Sequence, residues 1–272
     1  IGFIHHVYQY TPWYQCRAYL ASLVIDDGVT SIDQEMFHLS TVKSITAPVD
    51  LAMPAYFELL EELTLTPGVN GKGLDYDASP WAVSRLRDLT VSEGVRSIGD
   101  HTFEGCAMLT GVSLPESLIS IGEYLFEGCS SLTTVTIPSG IHIIPWEAFK
   151  DCTKLADIGL PQAIWGISDS AFEGCASLDI DLGSLEVRQI GEAAFQGCSS
   201  LSAAILPTTL TYIGSEAFKD CTSLSTLRIP DGLRVLQDGI FEGCTGLKDV
   251  TIPIDTALLG SFGTDKLSVE SF

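Results

Sequence analysis

Seven of the eight cysteines in this 272-residue chain recur at one fixed spacing, at Cys106, Cys129, Cys152, Cys175, Cys198, Cys221 and Cys244. Thiols are nucleophiles, disulfide partners and soft metal ligands, so a column of them has to be tested against each chemistry. A disulfide needs two Cβ atoms about 3.8 Å apart and facing each other, whereas residues in one phase of a repeat point the same way. The stray Cys16 leaves no natural pairing scheme. No Cys-x-x-Cys occurs, so a zinc site fits poorly. His38, His101 and His142 fall in separate repeats and suggest no His–Cys pair. His5 and His6 are adjacent, so they point in different directions, with no Cys or acid at ligand spacing. No Gly-x-Ser-x-Gly, His-Glu-x-x-His, dinucleotide glycine pattern or EF-hand loop is present. The column reads as small buried packing residues, and no catalytic residue, metal or cofactor is expected. On this reading Cys175→Ser costs a few kcal/mol by burying an unpaired hydroxyl.

The elements around the thiols share their period. Phe103, Phe126, Phe149, Phe172, Phe195, Phe218 and Phe241 each precede a Cys by three residues. Leu109, Leu132, Leu155, Leu178, Leu201, Leu224 and Leu247 each follow by three, and Ile121, Ile144, Ile167, Ile190, Ile213, Leu236 and Leu259 by fifteen. A fixed period in the range of about 20 to about 29 residues, with this logic, predicts a leucine-rich-repeat solenoid, in which each coil buries its apolar edge against its neighbours. About eleven coils of short parallel strands, about 4.8 Å apart, make a single elongated domain about 50 Å long. The wording Phe-x-x-Cys-x-x-Leu-x-x-Val-x-Ile-Pro resembles the BspA-type leucine-rich repeats of bacterial and unicellular eukaryotic surface proteins. That resemblance implies surface exposure and adhesion to other proteins.

Fourteen Lys plus Arg against 35 Asp plus Glu give a formal charge of −21. This repels phosphate backbones and anionic lipid surfaces, so a nucleic-acid partner is not expected. No apolar run of about 18 residues is present, so no transmembrane segment is expected. With neither an initiator Met nor a signal peptide, the chain reads as an ordered piece of something longer.

In chain order, residues 1–17 are aromatic-rich, fall outside the repeat and are expected to cap it. Repeats run over 18–253, irregularly to 85 and in regular 23-residue coils from 86. Residues 254–272 are the expected C-terminal cap. The coil at 67–85 is longer than the regular ones and rich in turn formers, so it is expected to protrude as a loop, with Asp75, Tyr76, Asp77 and Trp81 as a candidate contact. Its Gly71-Lys72-Gly73 lacks the Ser or Thr of a phosphate loop. In the regular coils, Leu-x-x-Val-x-Ile predicts a strand with alternate residues buried, ended by Pro. A second extended piece follows, and then Ile-Gly-Glu-x-x-Phe-x-Gly-Cys predicts a single helical turn. Asp100, Glu123, Asp169, Glu192 and Asp238 would sit at its N-terminal end. Gly105, Gly128, Gly174, Gly197 and Gly243 would release it in a left-handed conformation. After Cys175, SLDIDLGSLEV puts Asp181 and Gly183 where neighbours bury Val and Ile, which predicts a one-residue slip or two exposed apolar groups.

Columns required by the core leave function to positions that vary and point outward. In the second extended segment these are His142 and Ile143, Trp165 and Gly166, Arg188 and Gln189, Thr211 and Tyr212, and Arg234 and Val235. Aromatic and Arg side chains are enriched at binding hot spots. His142, Trp165, Arg188, Tyr212 and Arg234 are therefore the candidate protein-binding residues, with Trp165, Arg188, Tyr212 and Arg234 expected in one phase and on one face. Simple stacking of tall side chains along the rod is the alternative. The functional expectation is a non-catalytic protein-interaction module, secreted or on a cell surface; the alternative is a rigid scaffold subunit of an intracellular or organellar assembly.

Overall fold

The computed structural model describes residues 19–32, 41–52, 57–77, 79, 81–82, 84–253 and 257–258. The whole of the expected cap 1–17, with His5, His6 and Cys16, all of the expected cap 254–272 but 257–258, and also His38 lie outside these.

Alternating apolar residues with a terminal Pro produce one column of short strands: β1 (Ser22–Val24), β2 (Ser44–Pro48), β3 (Glu62–Thr66), β4 (Asp88–Val91), β6 (Gly111–Ser113), β8 (Thr134–Thr136), β10 (Asp157–Gly159), β13 (Ala203–Ile205), β15 (Thr226–Arg228) and β17 (Asp249–Thr251). A second column holds β5 (Ser97–Ile98), β7 (Ser120–Ile121), β9 (Ile143–Ile144), β11 (Gly166–Ile167), β12 (Gln189–Ile190), β14 (Tyr212–Ile213), β16 (Val235–Leu236) and β18 (Ala257–Leu258). All pairings are parallel, and between regular coils the register steps by one whole repeat, as in Val135 with Ile158 and Ile167 with Ile190. The result is a parallel-strand leucine-rich-repeat solenoid of about nine turns. The periodicity counts about eleven because the first coils supply a strand of the first column with, among the described residues, only the isolated bridges Ser31 with Ala52 and Lys72 with Ser97 in place of the second.

Between the columns lies the core. The seven Phe rings stack face to face, neighbouring centroids 5.3 to 5.7 Å apart and planes within 25°. All seven cysteines of the column are buried and free. Burial raises the thiol of Cys106 to about 12, and pushes those of Cys129, Cys152, Cys175 and Cys198 up likewise.

The expected helical turn does not form, and the described residues contain no α-helix. Alternate amides of this segment donate to the next coil, His101 N–H to Glu123 O at 2.9 Å, Phe103 to Leu125 at 3.0 Å and Gly105 to Glu127 at 2.7 Å. The intervening ones close three-residue turns, as from Cys106 to Phe103 O at 3.2 Å. Two left-handed residues per coil produce this course. One is the predicted position before Cys, held by Gly105, Gly128, Gly174, Gly197 and Gly243 and by Asp151 and Asp220. The other, four residues earlier, is held mostly by residues with a side chain: His101, Tyr124, Glu147, Ser170, Ala193 and Glu216, then Gly239. The acidic column serves the backbone in a different way from a helix terminus. Asp100 Oδ1 accepts from Glu123 N–H at 2.7 Å, and Asp169 Oδ1 from Glu192 N–H at 2.8 Å.

The segment 67–85 does not protrude among its described residues; it continues the stack. Gly73 N–H donates to Ser97 O and Tyr76 N–H to Asp100 O, at 2.9 and 3.1 Å. A protruding loop would forfeit these bonds. After Cys175 the strand is missing and the slip is taken: Leu182 is buried, Asp181 and Gly183 are exposed, and Asp181 Oδ1 accepts from Gly183 N–H at 2.9 Å. The first column is therefore interrupted between β10 and β13.

Candidate functional site

Each strand of the second column is two residues long, and β5 to β16 are each held by a buried residue two positions before the strand and by the buried residue at its end. In the coil of Cys198, Leu210 and Ile213 are buried, while Thr211 and Tyr212 between them are both exposed. Anchoring the chain twice within four residues bows the middle pair outward, so this face departs from strict alternation and presents two adjacent rows. His142, Trp165, Arg188, Thr211 and Arg234 form one row; Ile143, Gly166, Gln189, Tyr212 and Val235 form the other.

His142, Trp165, Arg188, Tyr212 and Arg234 are all exposed. The register corrects the expectation of a shared phase. Tyr212 pairs with Gln189, which pairs with Gly166, so Tyr212 sits one row over from Trp165, Arg188 and Arg234. The five still share a face, because both rows point outward. Trp165 N–H donates to His142 O, Arg188 N–H to Trp165 O and Thr211 N–H to Arg188 O, each at 2.9 Å. The rows therefore stand on a continuous hydrogen-bonded floor. His142 Nδ1 lies 3.3 Å from Ala163 O. Ile119, Ile143, Trp165, Tyr212 and Val235 account for five of the twelve large apolar side chains most exposed among the described residues.

The second candidate set is not brought together as a contact surface. Trp81 is 2% exposed, and its ring stacks on Phe57 with centroids 6.4 Å apart. It is buried because it takes the place in this lengthened coil that Phe fills in the regular ones. Tyr76 is half-buried and its hydroxyl donates to Leu51 O at 3.2 Å. Asp75 and Asp77 are exposed, but Asp75 Oδ1 accepts from Asp100 N–H at 3.0 Å as another member of the acidic column.

A cluster that sequence reasoning missed lies at the turn edge. His101 stacks on Tyr124, centroids 4.3 Å apart and planes 9° from parallel; Tyr124 meets Trp146 at 5.5 Å and 48°. Trp146 is 44% exposed. The signal was an aromatic residue at nearly the repeat spacing, 101, 124 and 146, hidden because the segment was read as a helix, where those positions have no common face.

A model of the BspA type leucine rich repeat region matches residues 80–185 and 179–268, in six copies. The chain is similar to the leucine-rich repeat protein of T. pallidum at 29% identity, covering 65% of this chain and 75% of that one, with a TM-score of 0.48. It is similar to a leucine-rich cell surface protein of Faecalibacterium prausnitzii A2-165 at 20% identity, covering 89% of each chain, with a TM-score of 0.44. A leucine-rich repeat protein of Bacteroides ovatus ATCC 8483 aligns at 22% identity over 88% of this chain and 83% of its own, with a TM-score of 0.40. Among curated proteins, none matches this sequence.

Proposed function

The chain belongs to the BspA-type leucine-rich repeat family, and on that premise we propose that it is a non-catalytic protein-interaction module that recognises another protein, at a cell surface or in a secreted setting, through its second strand column. The concentration of exposed apolar side chains on that face carries the reading. Ile119, Ile143, Trp165, Tyr212 and Val235 are between 38% and 52% exposed, and Arg188 and Arg234 stand among them. A soluble chain that keeps such side chains in the open on one rigid, hydrogen-bonded face offers the core of an interface. Nothing in the core dictates these residue types, since the same positions hold Ser120 and Thr211 in other coils. No helix among the described residues is long and apolar enough to cross a membrane.

The test is a purified Trp165→Ala/Arg188→Ala variant beside the parent on a panel of extracellular and matrix proteins. Both substitutions are at exposed positions and should shift stability by under about 0.5 kcal/mol each. A hot spot should lose about 2 kcal/mol of affinity or more. If every protein captured by the parent is captured as tightly by the variant, the face is not the site.

A further inference from the structure

The turn edge carries a second surface with a chemistry of its own. Its acidic column has the structural duty of accepting the next coil's amide, as Asp75, Asp100 and Asp169 do. In the coil of Cys152 that position is Trp146, preceded by Pro145 where the coils on either side have Gly122 and Ser168. An indole accepts no hydrogen bond, so the fold does not ask for it there. Trp146 extends the His101–Tyr124 stack into a row of three rings with an exposed end.

Carboxylates surround these rings. Glu123, Glu127 and Glu147 are close enough to Tyr124 to add to what burial does in holding its phenol protonated beyond the usual range. Glu104 Oε2 lies 2.7 Å from His101 Nδ1. Burial and the charges of Glu147 and Glu104 raise the proton affinity of Glu127. Lys150 beside them is engaged by Glu147 at 2.9 Å and Glu173 at 3.4 Å. The edge thus joins aromatic faces to negative charge that the chain itself leaves largely uncompensated.

We propose that the His101, Tyr124 and Trp146 edge binds an arginine-bearing segment of a protein partner, the guanidinium lying against the exposed Trp146 at the end of the row and donating to Glu123 and Glu127. A guanidinium is flat, weakly hydrated and permanently charged, so it stacks on a ring and pairs with carboxylates at once; an ammonium does only the second well. A neutral sugar also stacks on indole but leaves the charge of the site unanswered. The proposal rests on the chain being a protein-binding module, but it uses a different edge from the sheet face.

The probe is a fluorescein-labelled Gly-Ser peptide carrying two arginines, titrated into the intact chain at low and at physiological ionic strength. Lysine and glutamine versions and a neutral oligosaccharide serve as comparisons. Saturable one-site binding is expected, weaker for lysine, absent for glutamine and weakened by salt. Trp146→Ala should weaken it by about fivefold to thirtyfold, with Trp146→Phe recovering most of the loss. Glu123→Gln/Glu127→Gln should weaken it further, and Trp165→Ala/Arg188→Ala should leave it unchanged. Three results overturn the proposal: no saturable binding by the parent, equal binding by Trp146→Ala, or oligosaccharide binding that depends on Trp146 while peptide binding does not. Peptide binding lost only in the Trp165→Ala/Arg188→Ala variant would assign it to the sheet face instead, so the two surfaces fail separately.

Discussion

The thiol of Cys175 donates to the carbonyl oxygen of Phe149, one coil back along the chain, at 3.0 Å. The same bond recurs from Cys129, Cys152, Cys198, Cys221 and Cys244 to Phe103, Phe126, Phe172, Phe195 and Phe218, at 3.0 to 3.3 Å. Phe149 O also accepts the amide of Cys152 at 3.1 Å. The column therefore stitches each coil to the one before it through a small donor, which an apolar residue of similar size could not do.

This geometry reverses the expectation for Cys175→Ser. The hydroxyl would not be unpaired, since Phe149 O is in place to accept it, and the cost should be about 1 kcal/mol. Cys175→Val removes the donor and forces a second branch into closed packing between Cys152 and Cys198, for about 2 to 3 kcal/mol. Urea unfolding of the two variants decides: a serine variant as unstable as the valine one would mean that the bond contributes nothing.

The buried thiols make stability fall at alkaline pH. Their folded pKa values are raised by burial above the unfolded value of about 9. The stability they contribute is complete below that value and is lost as pH climbs from it toward the folded values. Each thiol ionised only in the unfolded chain costs about 1.4 kcal/mol per pH unit. Five together should exhaust a typical stability of about 5 to 15 kcal/mol within about two units above pH 9. Melting followed from pH 8 to 11 should show this, with a shallower fall in Cys129→Ala/Cys175→Ala. Alkylation at pH 8 without denaturant should leave the column unlabelled; rapid native labelling of Cys129, Cys152 or Cys175 would contradict their burial.

Trp81 should behave as core. Trp81→Ala is expected to cost about 3 to 5 kcal/mol, whereas Trp81→Phe, which restores the residue type of the regular coils, should cost far less. Thermal unfolding separates this from a surface role, in which both changes would be nearly silent.

The Cys, Phe, Leu and Ile columns were legible because a core position tolerates no change of phase, so the fixed period exposed every one. The slip after Cys175 was legible for the same reason: Asp181 cannot replace a buried Val. The turn was not. Leu125, Phe126 and Cys129 have the spacing of a helical face, and that spacing also suits a turn through left-handed residues; what distinguishes them is where the amides go, and their partners lie in the next coil. The exposed face was legible in its residues but not in its rows, because alternation alone cannot show that Thr211 and Tyr212 both escape the core. Misreading the turn also hid the stack of His101, Tyr124 and Trp146.

The left-handed column supplies the sharpest test of that turn. Ala193 has φ +52, which costs an L-residue about 1 to 2 kcal/mol, whereas glycine takes it freely. Ala193→Gly should therefore be neutral to stabilising, the relief offsetting about 0.5 to 1 kcal/mol of added chain entropy. In a helical turn the same change would cost about 1 kcal/mol. The reverse substitution can be read at two glycines of the position before Cys. Gly197 has φ +74, and a Cβ there would meet nothing closer than Gly174 at 3.7 Å, so Gly197→Ala should cost about 1 to 2 kcal/mol of backbone strain alone. Gly174 has φ +73, and its added Cβ would also collide with the Asp151 carboxylate. Gly174→Ala should therefore cost more than Gly197→Ala, and Asp151→Gly should remove the difference. Urea midpoints of these variants and the double variant are the measurement; a destabilised Ala193→Gly, or an Asp151→Gly that leaves the two glycine positions unequal, would show that the coil does not turn this way.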